Sequence, residues 1–190
     1  MVFVDPLTIM LVAVAASLSL IAWYLLGTAK GKRNLSNLAV PMFVLGLFDF
    51  ISGFYMSFAW PFPAPLASYN MLFGDPMLFL GIILLSGGYM LYETLDVRVL
   101  SWLGFLIGIY LAVETIAIIT LQLEKGIDLY TALGLYGFSA LSALLSPLVY
   151  FSPKNHKSAY YLLAGLLILA AFFAILIGST GIYTHLASPP

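Results

Sequence analysis

Six stretches of this chain, residues 7–27, 37–58, 76–92, 97–121, 129–151 and 158–184, are apolar over the length that an α-helix needs to cross a bilayer. That length is about 20 residues, at roughly 1.5 Å of rise each. Each stretch is bounded by charge, proline or amide, and the third is the shortest. Hydrophobic residues make up 63% of the 190-residue chain and charged residues 8%, where a soluble domain carries about 25% charged. A soluble fold of this length has no interior large enough for so much apolar surface. In hydrocarbon, backbone amides and carbonyls must be satisfied within each segment, which leaves helices. The expected fold is all-α: a polytopic integral membrane protein, six transmembrane helices in one bundle, with residues 1–190 as a single domain. The run 7–27 is too long for a signal-peptide core and no basic segment precedes it, so it reads as the first span.

Lys and Arg set the expected direction. Lys30, Lys32 and Arg33 fall in the first connection, Arg98 beside the third, and Lys154 and Lys157 in the fifth; only Lys125 falls in an even-numbered one. The odd-numbered connections are therefore expected in the cytoplasm, with the N-terminus and C-terminus outside and the bundle in the cell (plasma) membrane. The acids Asp5, Asp75, Glu124 and Asp128 gather on the opposite side. A net charge of -1 without a basic footprint excludes a nucleic-acid binder. The expected partners are membrane lipid and either a second copy of the chain or a respiratory-complex subunit. The chain has no cysteine, which excludes disulfides, thiolate metal sites and Cys nucleophiles. Its few amides, Asn34, Asn37, Asn70, Asn155 and Gln122, fit a thermophile.

The longest connection, 59–75, reads AWPFPAPLASYNMLFGD. Pro61, Pro63 and Pro65 at alternate positions forbid a regular helix. The segment that follows is aromatic and apolar, so it is expected to pack back on the outer face of the bundle, as a rigid cap or as a lid. Tyr69-Asn70-Met71-Leu72-Phe73-Gly74-Asp75-Pro76, followed by Leu78 to Gly81, resembles the signature of a small, largely archaeal family of six-span membrane proteins, a domain of unknown function. The resemblance extends over essentially the whole chain. It implies one domain and a membrane location, and it implies no activity.

Function must then come from the residues. Asp49 lies within the second span and Glu114 within the fourth, at similar expected depths. A charged side chain at the centre of a span costs about 3 kcal/mol, so it is expected to face protein or water. Asp49 shares a helix face with Gly46 and Gly53, which let another helix or a planar ligand come close. Glu114 follows Tyr110 by one turn. The functional reading of these intramembrane polar residues is a proton or cation relay, or an anchor for a cofactor. The plainer reading is a pair of protonated acids serving packing alone.

His156 precedes the sixth span and His185 ends it, so about 29 residues of mostly helix, roughly 40 Å, hold them in opposite leaflets. They cannot ligate one metal together. Met71 and Met77 lie toward the outside with His185, and Met42 and Met90 toward the inside with His156. Histidine and methionine form an axial pair for haem iron. The expected function is a membrane-embedded redox protein that binds haem b and passes electrons within or across the bilayer, an electron-transfer protein more than a stand-alone enzyme. The alternative is a proton- or cation-coupled carrier or channel using Asp49 and Glu114, or an accessory subunit without chemistry. No Ser-His-acid triad, phosphate loop or HExxH stands in the chain. Ser139, Ser142 and Ser146 form a stripe ahead of Pro147 and are expected to satisfy carbonyls that the proline frees.

Overall fold

Gly46 and Gly53 on one helix, and Gly74, Gly81 and Gly88 on the next, recur at intervals of two helical turns. A computed structural model, which describes residues 6–32, 34–151 and 157–187, sets these helices side by side. They are α2 (Ala39–Ala59) and α3 (Ser68–Tyr92). A Cβ added at Gly53 would overlap the backbone nitrogen of Leu78, and one at Gly81 the backbone nitrogen of Phe50. The two backbones are therefore in contact along the whole seam. Close approach of this kind is how helices associate where hydrophobic burial no longer drives them together.

The remaining helices are α1 (Leu7–Ala29), α4 (Leu100–Thr120), α5 (Gly126–Leu145), α6 (Pro147–Phe151) and α7 (Lys157–Ala187). Single 3₁₀ turns, Ser36–Leu38 and Val97–Val99, lead into α2 and α4. Six helical segments are long and apolar enough to cross a membrane, the fifth being α5 with α6. The chain is thus a multi-pass membrane protein. Val40, Val44, Ile51 and Phe54 on α2, with Leu106, Val113 and Ile116 on α4, stand exposed. Apolar faces this extensive need hydrocarbon as their solvent.

The helices pack chiefly in pairs: α2 with α3, α1 with α7, and α4 with α5, which also meets α7. The α1–α7 pair repeats the small-residue device, with Ala15, Ala22 and Ala29 of α1 and Ala164 and Ala171 of α7 buried in one cluster and Gly178 set against Thr8, Leu11 and Val12. By contrast α3 and α4 touch little. One end of the bundle carries the connections 30–38 and 93–99 and is called the basic end. The other carries 60–67 and 121–125 and is called the proline end.

The third span departs from the expectation. It begins at Ser68, so the YNMLFGDP segment forms the first two turns of α3 and not a surface cap. Pro76 then sits inside the helix, where it has no amide to give to the carbonyl of Leu72. The buried hydroxyl of Tyr136 on α5 donates to that carbonyl, so the freed acceptor is satisfied and the helix continues. The irregular part of the connection is confined to 60–67, where the three prolines stand.

Proline also breaks the fifth span, at Pro147. Ser146 Oγ lies 2.6 Å from the Ala143 carbonyl, which Pro147 cannot serve and which accepts from the Ser146 amide at 3.1 Å as well, and 2.7 Å from the Ser101 carbonyl on α4. The role expected of the serine stripe is borne out at this residue. Ser142 Oγ reaches the Leu163 carbonyl of α7 more weakly, at 3.4 Å.

Candidate functional site

Because small residues draw the helices together in pairs, the space between pairs is left incompletely filled. A cavity of about 240 Å³ runs along the bundle there. It touches α1 from Leu11 to Leu25 and α3 from Phe73 to Gly87, which at about 1.5 Å per residue is roughly 20 Å of length. Its wall is almost wholly hydrocarbon. Ile83 and Gly87 of α3 and Gly104 and Ile107 of α4 border it along the loosely packed α3–α4 seam.

Polar groups on the wall are few and grouped. At the basic end stand Arg98, Tyr24 and Tyr160. Arg98 pairs with Asp96 at 2.6 Å, and both tyrosine hydroxyls lie within electrostatic reach of that ion pair. The turn at 93–98 thus contributes, through Arg98, to the polar rim of the cavity. Ser139, Ser142 and Ser146 face the cavity from α5, and Tyr136 lines it near mid-depth.

Behind the wall lies an acidic cluster at the proline end of the α3–α4 seam. The Tyr110 hydroxyl donates to Asp75 Oδ2 at 2.6 Å, joining the two helices, and the Tyr110 ring meets Phe79 edge-on. Glu114, one turn further along α4, is 7% exposed, and neither of its oxygens has a hydrogen-bond partner. Tyr110 stands beside it too, but a phenol has one hydrogen, and Asp75 holds it. Asp75 was expected in an outer loop; it lies inside α3, because the helix continues through Pro76.

Asp49 occupies separate ground. It is fully buried at mid-helix and accepts from Ser17 Oγ of α1 at 2.6 Å, while its second oxygen has no partner. Its neighbours Gly46 and Gly53 receive a helix, α3, and not a planar ligand. No contact brings Asp49 and Glu114 into one site: the first faces α1, and the second faces Tyr110, Asp75 and Tyr136.

The signature segment organises the proline end. Tyr69 donates to Glu124 at 2.6 Å, tying the start of α3 to the connection before α5. Asn70 is fully buried; its amide accepts from the Phe62 nitrogen and donates to the carbonyls of Phe62 and Ala67. It thereby replaces the backbone hydrogen bonds that the proline-rich loop cannot make for itself. The sequence did not single out Asp75 or Tyr136 as site residues. For Asp75 the apolar character of YNMLFGDP was the signal that it lies inside.

The expected haem ligands are dispersed. His156 lies outside the described residues. His185 is half-buried in the last turn of α7. Met71 is 47% exposed on the outer face of α3, and Met90 is half-buried. Met77 packs with Met10, Met56 and Phe62 and borders the cavity. Met42 is packed with Leu20, Leu38 and Leu84, and it too borders the cavity. Among the described residues, no group of three or more His, Asp or Glu could hold a metal ion.

These features define a six-span helical membrane protein with an internal apolar cavity and a buried acidic cluster. The chain belongs to the family described as "Protein of unknown function (DUF981)", whose family model matches residues 1–188. No curated protein and no solved structure matches it.

Proposed function

We propose that this chain takes the hydrocarbon tail of a membrane amphiphile, an acyl or isoprenoid chain, into the cavity between its helix pairs. The observation that carries the reading is the shape and chemistry of the void, about 20 Å long, narrow and walled by hydrocarbon, with its cation and two phenols at one end. An apolar site with a few convergent polar groups is the usual form of a small-molecule pocket. The tail lies along Leu18, Leu80 and Leu111, and the polar head rests at the basic end beside Arg98, Tyr24 and Tyr160. Entry is sideways from the bilayer, through the loosely packed α3–α4 seam. In the cell membrane the basic end faces the cytoplasm, as the placement of Lys and Arg favours. The redox reading rests on His156, which lies outside the described residues, on His185, which does not border the cavity, and on methionines of which Met42 and Met77 do; the amphiphile reading rests on a formed cavity and is preferred for that reason.

The test is solvent extraction and mass spectrometry of protein purified in mild detergent. One amphiphile should co-purify in near-stoichiometric amount. Gly87→Leu and Ser139→Leu, which place side chains in the cavity, should each lower its occupancy while the protein stays folded. Unchanged lipid content in both variants would defeat the proposal. A Soret band in the intact protein would give the cavity to haem instead.

A further inference from the structure

We propose that Glu114, Tyr110 and Asp75 form a proton relay across the α3–α4 seam, in which Glu114 carries the proton and Tyr110 passes it to Asp75. Glu114 is 7% exposed and both its oxygens lack a partner. An ionised carboxylate left without donors in hydrocarbon is the costliest state the group can adopt; a protonated one supplies a donor of its own. The groups that face it are Tyr110 on its own helix, Asp75 from α3 and Tyr136 from α5. Glu124 and Tyr69 extend the cluster toward the proline end. None of these is a base that would neutralise the carboxylate.

The direction of each hydrogen follows from counting. Tyr136 has given its hydrogen to the Leu72 carbonyl, and Tyr110 has given its hydrogen to Asp75. Toward Glu114 both phenols can only accept. Tyr110 alone leads onward to another acid. The chain therefore runs from the Glu114 O–H to the Tyr110 oxygen, and from the Tyr110 O–H to Asp75. In transfer, the Glu114 O–H bond breaks as a new one forms on Tyr110. The original Tyr110 O–H bond breaks in turn as one forms on Asp75. The proton has moved from Glu114 to Asp75, Tyr110 is unchanged, and no electron moves.

The relay also has a position. Leu111, one turn before Glu114, and Tyr136 both line the cavity, so Glu114 stands one layer behind its wall. Asp75, half-buried, stands seven residues into α3, and Glu114 stands six residues before the end of α4, so the two acids lie at similar distances from the proline end. The site thus crosses the α3–α4 seam at one depth, on the flank of the cavity. It needs no occupant in the cavity and stands or falls independently of one.

Infrared spectroscopy of the whole protein in detergent provides the test. The protonated-carboxyl band should lose one component in Glu114→Gln, and that component should shift in frequency in Tyr110→Phe. Its hydrogen–deuterium exchange should slow by about tenfold or more in Tyr110→Phe and Asp75→Asn, as when a positioned proton carrier is removed. These two variants keep Glu114 itself, so the test survives if Glu114→Gln fails to fold. A band that loses no component in Glu114→Gln, or exchange unchanged in both Tyr110→Phe and Asp75→Asn, overturns the proposal.

Discussion

The hydroxyl of Tyr136 on α5 donates to the backbone carbonyl of Leu72 on α3, the acceptor that Pro76 leaves unserved. Tyr136→Phe orphans that carbonyl in a buried site and should cost about 1–3 kcal/mol. Pro76→Ala returns an amide to it. The double variant should therefore lose less than the sum of the two single changes, measured as resistance to unfolding by a denaturing detergent. Strict additivity would show that the proline and the tyrosine are not coupled.

The glycine seam offers an internal control. Gly53→Ala and Gly81→Ala drive a methyl group into the backbone of the facing helix, and overpacking of this kind costs about 1–3 kcal/mol. Gly137→Ala and Gly165→Ala meet nothing within 4 Å and should be neutral or slightly stabilising, by up to about 1 kcal/mol. Unfolding midpoints of the four variants should fall into these two groups.

Asn70 holds the loop 60–67 through both faces of its amide. Asn70→Asp keeps the size and loses both donations, and a carboxylate oxygen then faces the Phe62 and Ala67 carbonyls. Limited proteolysis should cut the loop faster in Asn70→Asp and Asn70→Ala than in the parent chain, with the helices intact.

How far these features were legible in the sequence follows from how local each one is. The spans follow from runs of apolar residues, and the break at Pro147 with its serine partner follows from neighbours on one helix. The start of α3 lies earlier in the chain than the expected one because Pro76 normally ends or kinks a helix, and the group that serves the freed Leu72 carbonyl, Tyr136, lies 64 residues beyond Leu72. The pairing of Asp75 with Tyr110 and the cavity are likewise properties of helix neighbours, which no spacing along a single helix reveals. Gly46 and Gly53 announced a close approach but not whether a helix or a ligand would make it.

Ser17 and Asp49 couple α1 to α2 at mid-depth. Ser17→Ala should destabilise by about 1 kcal/mol or more, because it removes the one donor the carboxyl has. Adding Asp49→Leu should recover most of that loss, since removing both partners of a buried hydrogen bond is nearly neutral. A double variant weaker than Ser17→Ala alone would mean that Asp49 contributes something beyond this bond.

The absence of cysteine makes topology directly measurable. Single cysteines at Lys32 and Ala67 should react from opposite sides of the membrane, Lys32 only with reagents that enter the cytoplasm. Labelling of both from the same side would contradict the span count.

The partners α1 and α7 are the first and last helices described, yet they pack against each other over most of their length. During synthesis the alanine face of α1 must wait in lipid while every intervening span is inserted, and the ring closes only when α7 arrives. A chain released before α7 would therefore leave the alanine face of α1 open to lipid, a bundle with one unsealed flank.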